Sequence, residues 1–202
     1  THRVAPRIAI VGAGVAGLTC ARELCLRGYD PVVFEATDRL GGRCSSRATR
    51  IGWFDDGAQS ISGTTRLASY AAQRPDELAA VHPWTVPATP GEDERKGRDW
   101  DKDEDEADAT RTLKAMGTVG VPSMVALANA IARPLDVRLN SPILQAQRRG
   151  SRWVLRDAAG EIDDDFQALV LAIPAPLALP LAQESPRLAA ALRAVRYRSR
   201  WV

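Results

Sequence analysis

Three glycines, one acid and a later Gly-Gly-Arg stand within the first 43 residues, and these residue types suit a phosphate-bearing nucleotide. The segment reads RIAIVGAGVAGLTCARELCLRGYDPVVFEATDRLGGR over residues 7–43. In such spacing Gly12 permits a tight turn, Gly14 lets the backbone approach a pyrophosphate, and Gly17 lets a helix pack closely on a strand. Glu35 follows about twenty residues later, where a carboxylate can accept hydrogen bonds from both ribose hydroxyls. The pattern predicts a dinucleotide site.

The elements that must position these residues can be predicted from the same stretch. Residues 8–11 form a short, apolar, β-branched run, which is typical of a parallel strand buried on both faces. Apolar residues recur at helical spacing over residues 15–27, and Gly28 can end that helix. The run PVVF at residues 31–34 predicts a second strand that leads to Glu35. Strand, glycine turn, helix and strand indicate a Rossmann-like α/β fold.

The chemistry of the two ends of this unit narrows the choice of dinucleotide. The helix start offers exposed amides and a positive dipole end to phosphates. An acid at Glu35 would repel the 2′-phosphate of NADP, so FAD or NAD is favoured.

The residues ATDRLGGR that follow Glu35 resemble a signature of the FAD-dependent amine oxidase superfamily, in which an acid precedes a basic residue and then GGR. The resemblance implies that Glu35 holds the adenosine ribose, that Arg39 flanks it, and that Gly42 and Arg43 meet the flavin pyrophosphate. Glycines allow close approach of the chain, and a guanidinium matches phosphate oxygens as a fork. FAD is therefore the predicted cofactor, and the loop from Arg39 to Arg43 argues against an NAD-dependent dehydrogenase.

A second segment, WFDDGAQSIS at residues 53–62, is similar to a DxGAQ segment of renalase-like proteins and their amine oxidase relatives. In that family it passes beside the flavin ring. The resemblance implies that Gly57 and Ala58 let the isoalloxazine sit against the backbone, and that Gln59 offers an amide towards it. A strand end and turn would equally explain the Asp-Asp-Gly sequence.

The later part of the chain carries weaker similarity to the renalase-like branch. Residues 119–132, VGVPSMVALANAIA, predict a helix that returns the chain to the cofactor domain, with Pro122 near its start and Ser123 as its cap. Residues 137–161 alternate apolar and polar positions in short runs, which predicts a small antiparallel meander. Residues 166–176, FQALVLAIPAP, predict another buried strand that runs into a proline turn.

The resemblance also assigns residues to the adenosine half of the cofactor. It places the backbone at Ile143 against the adenine and puts Ala172 near the adenosine. No catalytic side chain and no metal ligand is assigned. The complete set of predicted cofactor-binding residues is Gly12, Gly14, Ala16, Gly17, Glu35, Ala36, Arg39, Gly42, Arg43, Gly57, Ala58, Gln59, Ile143 and Ala172.

Composition restricts the partners. The chain has 202 residues and a formal net charge of +2, with its basic residues scattered among acids, so nothing marks a nucleic-acid surface. No apolar run reaches the roughly 18 residues of a membrane span, and the N-terminus lacks a signal peptide's apolar core. We expect a cytoplasmic protein that acts on a small-molecule substrate, with no nucleic-acid or membrane partner. Its oligomeric state stays open.

The charged stretch of residues 91–108 departs from globular composition and predicts a flexible, solvated acidic loop. It lies within residues 61–118, which we interpret as the remnant of a substrate domain with little alternating sequence left for a sheet. Residues 1–60 and 119–202 would form the FAD-binding domain. A strand is expected over 195–202, beyond which the family continues, so the chain is expected to be truncated, either as a fragment or as a natural short form.

The three cysteines have no metal-binding spacing. Cys20 and Cys25 are predicted to be small core residues on the first helix. Cys44 follows the GGR sequence, where it either approaches the flavin or simply packs.

The sequence thus predicts a Rossmann-like FAD-binding domain of the two-dinucleotide-binding type with a reduced or incomplete substrate domain. The predicted function is that of an FAD-dependent oxidoreductase, renalase-like or amine-oxidase-like. It would transfer a hydride from an amine or dihydronicotinamide-type donor to flavin and then pass electrons to oxygen. The alternative is a catalytically inactive dinucleotide-binding module or fragment.

Overall fold

The structure, a computed structural model, describes residues 5–61, 81–86 and 114–197. Its strands are β1 (Arg7–Val11), β2 (Asp30–Phe34), β3 (Arg47–Thr49), β4 (Gly52–Phe54), β5 (Val81–Val86), β6 (Lys114–Gly120), β7 (Asp136–Arg138), β8 (Gln145–Arg149), β9 (Arg152–Asp157) and β10 (Gly160–Leu171). Its helices are α1 (Val15–Leu26), α2 (Val125–Ala132), α3 (Ala175–Ala178) and α4 (Pro186–Ala194), with 3₁₀ turns at Gly42–Cys44 and Leu179–Ala182.

The main sheet has six strands in the order β7-β2-β1-β10-β9-β8. The first four run parallel, with Ile10 of β1 opposite Val33 of β2 and Val170 of β10. The pairings of β10 with β9 and of β9 with β8 are antiparallel. This mixed sheet with its β1–α1–β2 crossover confirms the predicted Rossmann-like α/β class.

Both faces of the central strands are covered, which explains why β1 and β2 consist almost wholly of apolar residues. On one face, α1 and α2 pack through Leu18 and Leu127 against Ile10, all fully buried. On the other face, Phe34 and Phe166 meet edge to face with their ring centroids 5.8 Å apart. The two layers fix the carboxyl ends of β1, β2 and β10 side by side.

Strand β10 connects the antiparallel part of the main sheet to its parallel part. Its first part pairs with β9, where Ile162 lies opposite Leu155, and its second part pairs with β1, where Leu171 lies opposite Val11. The register shifts between Ile162 and Phe166. One strand thus carries the meander at its start and completes the nucleotide-binding sheet at its end.

The structure corrects three expectations in the later part of the chain. The return helix begins at Val125, because residues up to Gly120 belong to β6. Residues 136–138 pair parallel with β2 and so lie outside the meander, which consists of β8, β9 and the first part of β10. The expected strand from residue 195 is not formed over 195–197, the part of it that the structure describes.

Within residues 61–118, β5 pairs antiparallel with β6, and Ile61 pairs with Thr118. The expectation that this interval retains little sheet is therefore wrong for this pair. Position-by-position alternation is weak in β6, whose sequence KAMGTVG contains two glycines. The predicted acidic loop at 91–108 lies outside the described residues.

Candidate nucleotide-binding site

The glycine turn, residues 12–17, lies between the ends of three parallel strands. The Gly12 amide donates to the Phe34 carbonyl at 2.8 Å, and the Ala172 amide donates to the Val11 carbonyl at 2.8 Å. Gly12 has a φ of +107°, and a Cβ there would lie 2.7 Å from the Ala172 carbonyl oxygen. Only glycine fits such a φ and such a contact. The chain can therefore reverse directly from β1 into α1.

Gly17 brings the first turn of α1 against the same junction. A Cβ at Gly17 would overlap the carbonyl oxygen of Gly12 and lie 3.1 Å from the Ala172 Cβ. The helix is thus held close to the end of the sheet, as expected for the third glycine of the pattern. Ala172 serves here as a packing partner of the turn.

Gly14 differs from its neighbours in the turn. Its φ of −70° and ψ of 167° suit any residue, and a Cβ there would meet nothing closer than the Gly41 carbonyl oxygen at 3.9 Å. It is the N-cap of α1, no side chain caps that end, and the first turn contains no acid. The amides and positive end of the dipole therefore remain available to an anion. Protein packing gives no reason for glycine at this position.

The GGR loop, residues 41–43, lies against the glycine turn. The Gly41 amide donates to the Ala13 carbonyl at 3.0 Å, and a Cβ on Gly42 would lie 3.2 Å from the Gly14 Cα. Gly42 and Arg43 are exposed. Among the described residues, the Arg43 guanidinium has no ion-pair partner. Two glycine-rich segments thus face each other with a guanidinium beside them.

The carboxylate of Glu35 is fixed at the end of β2. Its Oε2 accepts from the Ala13 amide at 2.9 Å, which ties it to the glycine turn. Its Oε1 accepts from the amide of Thr37 at 3.0 Å and from the hydroxyl of the same residue at 2.9 Å. Sequence reasoning missed Thr37, although short polar side chains such as threonine often bond to groups one or two residues away.

The basic residue that follows, Arg39, has its side chain 53% exposed and 3.7 Å from the Asp38 carboxylate. Such an exposed pair is weak, so the guanidinium can change partners at little cost. Ala36, beside Glu35, is exposed as well. Ala16 is exposed on the first turn of α1. All three residues are therefore accessible to solvent.

The aspartate loop, residues 55–58, holds two other segments together. Asp55 Oδ1 accepts from the Ser46 hydroxyl at 2.6 Å and from the Met124 amide at 2.9 Å. Ser46 Oγ in turn accepts from the Val125 amide at 3.0 Å. These contacts satisfy the start of α2 with a carboxylate and a hydroxyl from outside the helix. The predicted cap, Ser123, makes no capping bond, and its hydroxyl is buried without a partner among the described residues.

Gly57 and Ala58 of this loop pack against the GGR loop. The Ala58 amide donates to the Arg43 carbonyl at 2.8 Å, and a Cβ on Gly57 would overlap that carbonyl oxygen. Protein packing therefore explains glycine at position 57. Gln59 is exposed at the end of the loop.

The second aspartate of the loop is differently placed. Asp56 accepts from the Ser45 hydroxyl at 2.7 Å, and Arg47 lies 3.7 Å away. The Ser45 hydrogen bond is the larger cause that lowers the pKa of Asp56 from its ordinary value, with Arg47 contributing less. Asp56 stays ionised at neutral pH on the surface.

Ile143 lies behind the site. Its side chain is buried in the second core cluster, between the meander and the sheet. The neighbouring Ser141 amide donates to the Glu35 carbonyl at 2.8 Å. The segment that leads to Ile143 is therefore brought beside the end of β2, and the contact of Ile143 with adenine stays a prediction.

The cysteines divide by position. Cys20 packs against the first core cluster, whereas Cys25 is exposed, so its assignment to the core is wrong. Burial raises the pKa of Cys44, against the opposing effect of Arg43, so this thiol stays protonated at neutral pH.

Within the described ranges no group of three or more His, Cys, Asp or Glu residues could hold a metal ion. None of the helices described is long and apolar enough to cross a bilayer.

Comparisons with known proteins agree with this geometry. A family model described as an NAD(P)-binding Rossmann-like domain matches residues 10–73. A 15-cis-phytoene desaturase of Synechococcus elongatus is 41% identical over 58 residues, which are 28% of this chain and 12% of the relative. A candidate flavin-containing monoamine oxidase of Mycobacterium tuberculosis is 56% identical over 36 residues, which are 18% of this chain and 8% of the relative.

Solved structures extend the likeness of fold. A double mutant of a putrescine oxidase matches with a TM-score of 0.67 at 16% identity, covering 94% of this chain and 64% of that chain. The chain thus spans a small part of the curated relatives and under two thirds of this structure. The family match indicates an NAD(P)-binding Rossmann-like domain over residues 10–73, and the likeness to a flavin-containing monoamine oxidase agrees with the predicted resemblance. They do not single out the renalase-like branch.

Proposed function

We propose that this chain binds FAD and forms the cofactor-binding part of an FAD-dependent oxidoreductase of the amine oxidase type. The observation that carries the proposal is the site around Gly14. There an uncapped helix start and the GGR loop face each other, and a Cβ at Gly14 would make only ordinary contact with its nearest neighbour, the Gly41 carbonyl oxygen 3.9 Å away. This is the arrangement in which a pyrophosphate can contact backbone amides directly.

The residues present fit both halves of the cofactor. The pyrophosphate would lie at the start of α1 beside the paired Gly14 and GGR backbones, with Arg43 supplying a positive charge for its oxygens. The adenosine ribose would reach Glu35, whose carboxylate stands at the end of β2 beside the turn. A carboxylate at this place accepts from ribose hydroxyls and repels a 2′-phosphate, which favours FAD over a phosphorylated dinucleotide.

Bound FAD would supply a two-electron acceptor for a hydride from an amine or a dihydronicotinamide-type donor, with oxygen as the final acceptor. The chain's own residues would bind and orient the cofactor. The aspartate loop would pass the flavin ring, with Ala58 and Gln59 on the ring side and Gly57 against Arg43. No side chain of the described residues is assigned a proton-transfer step. The renalase-like character belongs to this proposal too.

The proposal divides the chain into two parts. Residues 1–60 and 119–202 would form the FAD-binding domain, since β1, β2 and β10 build its sheet. Residues 61–118 would contribute to the substrate side, and the β5–β6 pair is the part of that interval with described structure.

FAD titration of the purified protein tests binding. We expect flavin fluorescence to be quenched on binding by the wild type, and Gly14→Val to lose at least a hundredfold in affinity because its side chain would occupy the path of the pyrophosphate. Ala190→Val, an exposed position on α4, is the matched control and should bind as the wild type does. Tight binding by folded Gly14→Val would reject the site.

Activity needs a separate assay. Anaerobic bleaching of the flavin by an amine or a dihydronicotinamide donor, followed by peroxide release in air, would support the oxidoreductase. Binding of FAD without bleaching by either donor would favour the alternative of an inactive dinucleotide-binding module.

A further inference from the structure

Thr37 holds the carboxylate that the proposed function assigns to the ribose. Both its amide and its hydroxyl contact Glu35 Oε1, at 3.0 Å and 2.9 Å. The hydroxyl also lies 3.1 Å from the Arg39 carbonyl oxygen. A hydroxyl has one proton to donate, and the charged, nearer carboxylate is the stronger acceptor. The proton therefore goes to Glu35.

These contacts limit what Glu35 has left for a ligand. A carboxylate has about four acceptor positions, two on each oxygen. Oε1 already accepts two hydrogen bonds from Thr37, and Oε2 accepts one from Ala13. One position remains, on Oε2. A single ribose hydroxyl is expected there, in place of the two predicted from the sequence.

The main chain around Glu35 is held without the threonine hydroxyl. The Glu35 amide donates to the Arg138 carbonyl at 2.9 Å, and the Ser141 amide donates to the Glu35 carbonyl at 2.8 Å. The Asn140 amide donates to the Thr37 carbonyl at 2.9 Å. These bonds fix the backbone of Glu35 from behind, so the hydroxyl is not needed to hold that backbone in place.

We propose that Thr37 is a positioning residue, whose hydroxyl locks the Glu35 carboxylate so that Oε2 presents its one remaining acceptor to a ribose hydroxyl. The inference rests on the proposed function, since it takes the ribose of FAD as the ligand. Thr37 also contacts the Arg39 backbone, whose amide lies 3.4 Å from its hydroxyl. The Thr37 hydroxyl therefore links the Glu35 carboxylate to Arg39, at the start of the segment that leads into the GGR loop.

The experiment compares Thr37→Val, which keeps the shape and loses the hydroxyl, with Thr37→Ser, which keeps the hydroxyl. Two ligands are titrated: FAD, and an FAD analogue with a 2′,3′-dideoxyadenosine ribose. We expect Thr37→Val to weaken FAD about five- to tenfold and to change the affinity for the analogue less than about twofold. Thr37→Ser should bind both ligands as the wild type does. Thr49→Val, which loses a hydroxyl bonded to the Gly52 carbonyl in the β3–β4 hairpin, is the matched control.

Two results would overturn the inference. Equal weakening of both ligands by Thr37→Val would mean a general structural role, and unchanged FAD affinity would mean no role at all. Amide hydrogen exchange in the cofactor-free protein gives a second readout. There Thr37→Val should accelerate exchange of the Ala13 amide, because the Glu35 carboxylate that accepts from it keeps the Thr37 amide bond but loses the hydroxyl bond and is held less tightly, whereas Thr37→Ser should not.

The exchange measurement separates the two proposals. If the wild type does not bind FAD, the proposed function fails, and Ala13 exchange still decides whether Thr37 positions the carboxylate. Unchanged Ala13 exchange in Thr37→Val would reject the positioning role whatever the flavin titration shows.

Discussion

The glycine turn and the aspartate loop both approach the GGR loop, but their glycines are there for different reasons. At Gly57 a side chain would overlap the Arg43 carbonyl, so the protein itself requires glycine. At Gly14 the nearest heavy atom would be 3.9 Å away, so the fold alone tolerates a larger residue. The same residue type thus marks a packed junction in one loop and, in the proposed function, the approach of a ligand in the other. A sequence motif cannot make this distinction, because it reports residue types and not their neighbours.

The largest expected effect lies in the packed half of the glycine turn. Gly17→Ala should destabilise the protein by about 3 kcal/mol, since the new methyl overlaps the Gly12 carbonyl and meets Ala172. Urea unfolding measures the loss. Gly14→Ala is the matched control and should stay within about 1 kcal/mol of the wild type. Equal losses of unfolding free energy in Gly17→Ala and Gly14→Ala would contradict the distinction between a packed and an unpacked glycine.

The next effect concerns the acid beside the turn. Glu35→Ala should weaken FAD binding by about 1.5–3 kcal/mol, because a charge-assisted hydrogen bond to ribose is lost. Glu35→Gln should lose less, since its amide oxygen remains an acceptor. Calorimetric titration of the three proteins provides the test, and identical affinities would remove Glu35 from the site.

Substitutions in the aspartate loop should lower the free energy of unfolding more than they lower the affinity for FAD. Asp55→Ala removes an acceptor shared by Ser46 and Met124 and should cost about 1–3 kcal/mol of unfolding free energy. Asp56→Ala is the matched control and should cost less, because Asp56 is exposed. FAD affinity of the folded Asp55→Ala protein should fall less than that of Glu35→Ala. The reverse order would make Asp55 a ligand-binding residue.

The smallest expected effect concerns the reactivity of the Cys44 thiol, which directly follows the GGR loop. Burial raises the pKa of Cys44 above its ordinary value of 9.0, so alkylation should be slow at neutral pH, with its rate midpoint above pH 9.0. The measurement uses a Cys20→Ser, Cys25→Ser background. Arg43→Gln should raise the midpoint further, since the guanidinium lowers this pKa. Protection by FAD would place Cys44 on the flavin side, and its absence would leave a packing role.

The N-terminal unit could be predicted from the sequence because its signals are local. The strand expected at residues 8–11 is observed at Arg7–Val11, and the helix expected at 15–27 is observed at Val15–Leu26. In each case the hydrophobic period lies within the element and a glycine follows shortly after its end. The same holds for Gly12, whose positive φ is a local property of the turn.

The start of α2 could not be predicted, since its cap comes from a distant part of the chain. Ser123 has the residue type of a cap, yet Ser46 and Asp55 make the bonds. The parallel pairing of β7 with β2 is similarly non-local, and residues 136–138 alone look like any short strand. Thr37 was missed because its importance lies in one oxygen of a neighbouring side chain, which no periodicity reveals.

The closure of the glycine turn by Ala172 has a consequence for the order of events during synthesis. Gly12 and Gly17 are made long before Ala172 and Ile173, the residues just after β10 whose atoms lie against the turn. Until that strand is made, β1 lacks one of its two partners and presents an open edge. Contacts so far apart in sequence form late, after the entropy of closing the intervening chain has been overcome. The glycine fingerprint therefore becomes a finished turn only when the chain as far as Ile173 is available, and a cofactor would meet it late in the folding of this sheet.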